Sequence, residues 1–385
     1  MTAALTPAEV ATLRCTEFPW TAEHIYLNSA AVGPLPERSR RVLDAWNRRR
    51  QTPFLLPDRE LYATLDHARQ LVARLLNVEP AEIALTQNTG FGLATAARCL
   101  PLEPGDIVLA SDREFPANVY PWMRLKDRGV TLELVPVTAD GFPDEDRIVE
   151  RLGDPRVRCL AVSLVQFGSG FAADLARLSA ATREAGAFLV VDAIQGLGHV
   201  PVDLRATPVD ILSAGAQKWL LSPWGTGFCY VRRALIPRLE PPLAGWYAFE
   251  GMEDYSRLTR YEDRWRGDAR RFELVTVPFQ DVAAMNASLE LLLELGVDRI
   301  QAHLEALREL VVAWADARGV PLRSPRGARA SAIVCLVPRD TAGALRALKA
   351  ARITASLREG AIRLSPHCFN SPDDIHRLLD VLEHI

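Results

Sequence analysis

Phe188-Leu189-Val190-Val191-Asp192 and, further on, Ile211-Leu212-Ser213-Ala214-Gly215-Ala216-Gln217-Lys218 are the two stretches on which the reading of the fold turns. Each is a short apolar run that ends near a polar side chain, and such runs, bounded by turn residues, suit strands buried on both faces. Working outward, the same unit of apolar run, turn and amphipathic stretch recurs from about residue 80. The further runs are Ile83 to Thr86, Ile107 to Ser111, Thr131 to Val137 and Cys159 to Val165. This alternation implies crossover connections on a mostly parallel sheet. Gly227 to Val231 follows the preceding run too closely for a crossover, so it is expected to run antiparallel as a seventh strand.

Helical periodicity flanks this block, from Pro36 to Leu76 and from Asp281 to Arg318, the second read as one long connector. Beyond it, Ala330 to Val337 and the pair Ile353 to Leu357 and Ala361 to Ser365, joined at Arg358-Glu359-Gly360, read as a small antiparallel sheet. A last helix, Pro372 to His384, has Ser371 placed as its cap. The expected organisation is an N-terminal segment 1–35 contributing to the smaller unit and the substrate pocket, a large domain 36–280, and a connector with a small α+β domain 281–385.

With 385 residues, 49% of them hydrophobic, the chain can bury a large core, and its net charge of −3 offers no basic field to attract nucleic acid or an acidic membrane. The apolar runs are too short to cross a bilayer, and Met1 to Pro7 carries no basic residue ahead of an apolar stretch, so a cytoplasmic protein acting on small molecules is expected. Cysteines 15, 99, 159, 229, 335 and 368 are scattered without zinc-ligand spacing, and no metal site is expected. Only Lys126, Lys218 and Lys349 are lysines, which narrows any search for a reactive amine to three positions.

In an open parallel sheet, ligands sit beyond the C-terminal ends of the strands. Asp192 and Lys218 would both reach that crevice if their strands are neighbours. An amine and an acid there suit pyridoxal phosphate: the lysine forms a Schiff base, and the acid keeps the pyridine nitrogen protonated so that the ring can absorb electrons. Burial would also lower the lysine pKa and keep its amine nucleophilic. An isolated Asp or Lys would more often be a helix cap or a solvated loop residue. Here the surroundings reverse that balance.

Val190-Val191-Asp192-Ala193-Ile194-Gln195, Ser213-Ala214-Gly215-Ala216-Gln217-Lys218-Trp219 and Gly225-Thr226-Gly227 together resemble the cofactor region of the class V aminotransferases, the family that includes cysteine desulfurases, isopenicillin N epimerase and kynureninase. The resemblance runs from about Tyr26 to the C-terminus. It implies the fold type I architecture of pyridoxal-phosphate enzymes, a mostly parallel seven-stranded sheet with helices on both faces and a smaller α+β C-terminal domain. It also implies that Lys218 is the Schiff-base lysine, that Asp192 partners the pyridine nitrogen and that Gln195 lies near the ring hydroxyl. Gln217 stands where many relatives have histidine; it can donate to a phosphate oxygen but cannot carry a positive charge.

Thr86-Gln87-Asn88-Thr89-Gly90-Phe91-Gly92 follows a strand and opens a helix, which suits a phosphate cup. Thr89 and Gly90 are the candidates, with Ser213 beside them. A dinucleotide fingerprint is the rival reading, weakened because Thr95 replaces its third glycine. Phe272-Glu273-Leu274-Val275-Thr276 resembles the segment whose threonine completes the phosphate site of a second subunit, which implies a homodimer with shared active sites. Glu114 to Trp122 resembles the segment whose aromatic residue stacks on the ring; Phe115 stands where desulfurases usually have histidine, and a core aromatic is the alternative reading. Gln166, after its strand, is a further cofactor candidate.

A substrate carboxylate calls for a guanidinium. Ile362-Arg363-Leu364-Ser365-Pro366-His367 resembles the family's carboxylate-binding segment, so Arg363 is the first candidate and Arg358 the second, with His367 read as structural. Tyr26 to Ala31 resembles a strand lining the substrate pocket, through Asn28 and Ala30. Desulfurases carry a mobile cysteine shortly before the final hairpin. No cysteine lies between Cys335 and Cys368 here, which disfavours persulfide chemistry. The reading is an enzyme acting at the α-carbon of an amino acid, most simply an aminotransferase. Alternatives are a C–S lyase or desulfurase-like enzyme, an amino-acid epimerase and, from other classes, a nucleotide-binding oxidoreductase or a catalytically silent binding relative.

Overall fold

A computed structural model describes residues 2–384. Among the described residues twelve strands form three sheets: β1 (Ile25–Tyr26), β2 (Ile83–Thr86), β3 (Ile107–Ser111), β4 (Thr131–Val135), β5 (Val157–Ser163), β6 (Phe188–Asp192), β7 (Ile211–Gly215), β8 (Gly227–Val231), β9 (Val334–Leu336), β10 (Ile353–Thr354), β11 (Ser356–Arg358) and β12 (Ala361–Leu364). The central sheet has the order β2-β8-β7-β6-β5-β3-β4. Its β4, β3, β5, β6 and β7 run parallel, while β8 is antiparallel to both neighbours, as its close spacing to β7 requires.

The inner strands β3, β6 and β7 are apolar because helices cover both faces; every residue of β3 and β7 is buried. Register then matters for function. Ser163 pairs with Asp192 and Asp192 with Ser213, which sets the C-terminal ends of β5, β6 and β7 side by side. The two edges are handled differently. At β2 the Leu85 N–H donates at 2.9 Å to the buried Glu273 carboxylate, which satisfies an edge donor and closes that side. At β4 the surface is half solvated and carries Glu133, paired to Arg151 at 2.6 Å.

Several boundaries differ from the sequence expectation. The β5 ladder begins two residues early and ends at Ser163: Leu164 N–H still donates to the Asp192 carbonyl at 2.8 Å, but β6 ends at Asp192, and Val165 leaves the sheet for an isolated antiparallel bridge with Ala172. β4 ends before Pro136, which has no N–H to give a ladder. The stretch 36–76 is two helices, Glu37–Arg50 and Asp58–Leu76, separated by a segment holding Pro53 and Pro57. The expected single connector is also two helices, Phe279–Leu295 and Val297–Arg318, broken at Gly296, whose φ of 83° only glycine adopts readily.

In the C-terminal part, the run Ile353 to Leu357 is divided between two sheets. β10 pairs in parallel with β1, and β11 forms a hairpin with β12, which in turn pairs with β9. Glu359 and Gly360 at the hairpin tip have φ of 45° and 78°, the paired positive values of a two-residue type I′ turn. The last helix, Pro372–Leu382, starts with a capping box in which Ser371 accepts from the Asp374 N–H, as its sequence position indicates. Among the described residues no helix is long and apolar enough to cross a membrane.

Candidate active site

Asp192 ends β6 with a side chain only 2% exposed, and the Ile194 N–H donates to its Oδ1 at 3.1 Å. Burial pushes this carboxyl above its ordinary range; the Ile194 N–H opposes the shift, the nearby Glu114 charge adds to it and Lys218 opposes it. Lys218, in the loop after β7, is shifted down by burial, against the pull of Asp192, and the charges of Arg363 and Arg358 push the same way as burial. Geometry brings three of these groups together: Asp192 pairs with Ser213 near the end of β7, Lys218 Nζ lies 5.7 Å from the Phe115 ring, that ring packs on Phe167, and Arg363 donates to the Phe167 carbonyl at 2.9 Å.

The loop bearing Lys218 is anchored from several elements. Gly33 N–H donates to the Gln217 carbonyl at 2.8 Å, and a Cβ on Gly33 would stand 1.9 Å from the Lys218 carbonyl oxygen, so the N-terminal segment crosses the loop at contact distance. Leu221, whose N–H reaches the Lys218 carbonyl at 3.1 Å, holds a left-handed φ of 54°, a strained conformation for a branched residue. The Trp219 indole donates to Gln195 Oε1 at 2.8 Å, and Gln195 Nε2 donates to the Ala30 carbonyl at 2.9 Å. One amide thus links β6, the lysine loop and the N-terminal segment.

The helix Thr89–Cys99 is capped by Asn88, which accepts from the Phe91 N–H at 2.9 Å and leaves the Thr89 and Gly90 N–H groups without an intrahelical partner. The Thr89 hydroxyl accepts from the Gly215 N–H at 2.8 Å, so its own hydrogen remains to be donated. Ser213 is fully buried beneath this helix start and donates to the Thr89 carbonyl at 2.9 Å, so it supports the cup from below. Gly92 makes the close packing possible, since a Cβ there would lie 2.3 Å from Ser213 Oγ.

Phe115 is 42% exposed, with Lys218 Nζ 5.7 Å from its ring centroid and the Phe167 ring edge-on at 5.2 Å. That exposure is not a core aromatic's. Next to it, Glu114 is buried and accepts from Asn118 Nδ2 at 3.1 Å, the Ser163 N–H at 2.9 Å, Ser163 Oγ and Gln166 Nε2 at 2.6 Å. This carboxylate binds the aromatic segment to the end of β5 and orients Gln166. Sequence reasoning passed over it, although Glu114, Asn118 and Trp122 recur at four-residue spacing and form a buried chain, Trp122 Nε1 reaching Asn118 Oδ1 at 3.4 Å. It also passed over His199, whose ring lies 3.9 Å from that of Trp219.

Arg363 on β12 is 1% exposed. Its Nη1 donates to the Phe167 carbonyl at 2.9 Å, its Nε has no partner, and no carboxylate offsets the burial and the Arg358 charge that together push it down to about 10. Asn28 meets Ser365 across a β-bridge and Ala30 N–H donates to Ser365 Oγ at 3.0 Å, so both flank the arginine strand. His367 is fully buried: its Nδ1 accepts the Cys368 N–H at 2.8 Å, which leaves Nε2–H to donate to the Trp219 carbonyl at 3.0 Å. Both nitrogens are engaged in structure. Thr276, by contrast, is exposed, on a segment anchored at the β2 edge by Glu273, which Arg69 grips at 2.7 Å.

Whether these residues fit pyridoxal phosphate is tested by what they lack. Eight buried side-chain N or O atoms among the described residues have no partner, and Asn28 Oδ1, Gln166 Oε1, Gln217 Oε1 and Arg363 Nε are four of them. Orphaned groups are costly when buried, so their concentration around one crevice fits a polar ligand. An open α/β sheet that presents a half-buried amine and a buried acid beside a free helix start is the arrangement of a pyridoxal-phosphate enzyme.

The comparisons with known proteins agree. The family model for Aminotransferase class-V matches residues 56–378, and the chain belongs to that family of pyridoxal-phosphate-dependent enzymes. It is similar to an uncharacterized aminotransferase, YcbU, of Bacillus subtilis, with 28% identity over 322 residues and 84% of each chain covered. A probable cysteine desulfurase of Methanothermobacter thermautotrophicus is 28% identical over 399 aligned positions, 96% of each chain. The apo structure of a cysteine desulfurase from Thermococcus onnurineus NA1 superposes with a TM-score of 0.88 at 22% identity, covering 100% of this chain and 99% of that one, a likeness of fold.

Proposed function

We propose that this enzyme acts at the α-carbon of an amino acid, most simply as an aminotransferase, with Lys218 as the covalent anchor and the base. When bound, pyridoxal phosphate supplies a ring that withdraws electrons from the substrate α-carbon. Asp192 would hold the proton on the ring nitrogen by charge. Phe115 would cover one face of the ring, Gln195 and Gln166 would serve its polar edge, and Thr89, Gly90 and Gln217 would hold the phosphate. Ser213 acts beneath them by fixing Thr89.

Arg363 holds the substrate carboxylate, which orients the α-hydrogen toward Lys218. The lysine, its pKa lowered by burial, takes that proton and returns it at another atom. Asn28 and Ala30 border the substrate on the side of the N-terminal segment. The reading is supported by the placement of Asp192 beside the end of β7, of Lys218 against the Phe115 ring, and of the carboxylate-free Arg363 on the Phe167 carbonyl, Phe115 and Phe167 being packed edge to face.

The cysteines support a reaction without a protein persulfide. Cys335 is buried, donates to the Gly168 carbonyl at 3.2 Å and has its thiol pushed up to about 11 by burial. Cys368 is fully buried, and its thiol is likewise pushed up. Thiols of this kind are poor nucleophiles. Thr276, exposed at the β2 edge, suits contribution to a second subunit, and we read the enzyme as a homodimer with shared sites, each chain divided at about residues 35 and 280. The experiment is a panel: holoenzyme with individual amino acids, scored for keto acid, pyruvate, sulfide and loss of chirality. Keto acid without sulfide supports transamination; sulfide with pyruvate, or racemisation alone, replaces it with elimination or epimerisation.

A further inference from the structure

Lys218 sits in a closed loop whose geometry depends on one strained residue. The Ser222 N–H donates to the Ala216 carbonyl at 3.0 Å and the Leu221 N–H to the Lys218 carbonyl at 3.1 Å, so the backbone of Leu221 sets where Lys218 lies within the loop. Among the described residues four non-glycine residues have positive φ, and three of them, Asn77, Arg352 and Glu359, are exposed after helices or at a hairpin tip, where the left-handed conformation is common. Leu221 is the fourth. It is fully buried, and a bulky residue in that conformation persists only where its surroundings hold it.

What holds it is a pair of serines from two helices. Ser288, on Phe279–Leu295, donates its hydroxyl to the Leu221 carbonyl at 2.8 Å, and its Oγ lies 2.7 Å from that of Ser39, on Glu37–Arg50. A hydroxyl has one hydrogen to give. Since that of Ser288 goes to Leu221, Ser39 is the donor within the pair, and the bonds run in one direction, from Ser39 to Ser288 to Leu221. Each bond in such a chain strengthens the next, and both serines are fully buried, so water does not compete for the Leu221 carbonyl. On its other side Leu221 packs against the N-terminal segment, where a Cβ at Gly33 would lie 3.0 Å from Leu221 Cδ2.

We propose that Ser288, supported by Ser39, is a positioning residue for Lys218: its hydroxyl keeps Leu221 in the left-handed conformation, and Leu221 in turn fixes the lysine in the crevice. The inference rests on the reading of Lys218 as the covalent anchor of the cofactor. Without the Ser288 bond, Leu221 relaxes toward negative φ, its N–H leaves the Lys218 carbonyl, and the lysine loop opens toward solvent.

The test is the rate at which borohydride bleaches the visible band of the holoenzyme, with the circular dichroism of that band per bound cofactor as a second readout of how firmly Lys218 is held; neither needs turnover. Losing one hydrogen bond of ordinary strength shifts the loop toward its relaxed form by about tenfold, so Ser288→Ala is expected to bleach about tenfold faster than the native enzyme and to lose circular dichroism in the band, with Ser39→Ala between the two. Bleaching and circular dichroism that match the native enzyme in Ser288→Ala overturn the proposal, even if thermal melts show a loss of stability, because a purely structural serine does that much. Should Ser288→Ala fail to fold, Ser39→Ala decides by the same two readouts. Peptide mapping of the reduced native enzyme separates the proposal from the reading beneath it: phosphopyridoxyl on Lys218 with unmoved rates sinks the proposal alone, and a label on another lysine sinks the reading of Lys218.

Discussion

The imidazole Nε2–H of His367 donates to the backbone carbonyl of Trp219 at 3.0 Å, one residue beyond Lys218. A residue of the C-terminal segment thereby fixes the loop that positions the reactive amine. Burial holds His367 down to about 4 and His199, against the same Trp219 ring, down to about 3, from an ordinary 6.5. Both stay neutral in the native state while the unfolded chain takes up their protons, so stability rises with pH across this window and falls on acidification from about 6.5 toward 4. Denaturant melts between pH 7 and pH 4 should show this loss, and His367→Phe should flatten part of it while lowering stability at pH 7 by roughly 2 kcal/mol through the unpaired Trp219 carbonyl and Cys368 N–H.

Arg363 sets stability against function. Replacing a buried, unmatched cation by an apolar side chain of similar length often stabilises, by about 1–3 kcal/mol, so Arg363→Met should melt higher than the native enzyme. The same change should weaken substrate by about a hundredfold, since a charge-assisted pair is lost. Melting curves and substrate titrations of the cofactor band check both halves. A variant that melts lower and binds normally contradicts the assignment.

Glu114 shows the converse. Its carboxylate satisfies donors from Asn118, Ser163 and Gln166, so Glu114→Ala strands them in the interior and should cost roughly 3 kcal/mol, with weaker holding of the cofactor because Phe115 and Gln166 lose their tether. Chemical denaturation and cofactor dissociation rates measure the two effects.

Gly33→Ala should be more damaging than its size suggests. The added methyl meets the Lys218 carbonyl, a backbone atom that cannot turn aside, so either the N-terminal segment or the lysine loop must move. Turnover should fall at least about tenfold, in keeping with the sensitivity of reaction rates to small misplacements. Circular dichroism should show the fold retained.

Much of this arrangement was legible in the chain. Five of the seven central strands have the boundaries that their apolar runs indicate, because strands buried on both faces leave an unbroken hydrophobic signature. The antiparallel course of Gly227–Val231 followed from connection length alone. What the sequence hid depends on contacts between distant segments. Leu164 and Val165 continue the apolar run past the strand end because both stay buried, while the partner of Val165 is Ala172 of the following loop rather than a residue of the sheet. Ile353 and Ser356 belong to different sheets because β1, over three hundred residues earlier, takes β10 as its partner. Glu114 was unmarked for the same reason: an acid earns its meaning from donors on β5 that no local pattern displays.

The central claim is that Lys218 carries the cofactor in a crevice shared with Asp192. Borohydride reduction of the holoenzyme, followed by peptide mass mapping, tests it most directly. The account predicts a visible band that bleaches on reduction and a phosphopyridoxyl mass on the Lys218 peptide, lost in Lys218→Ala. A label on Lys126 or Lys349, or full turnover in Lys218→Ala, would contradict it.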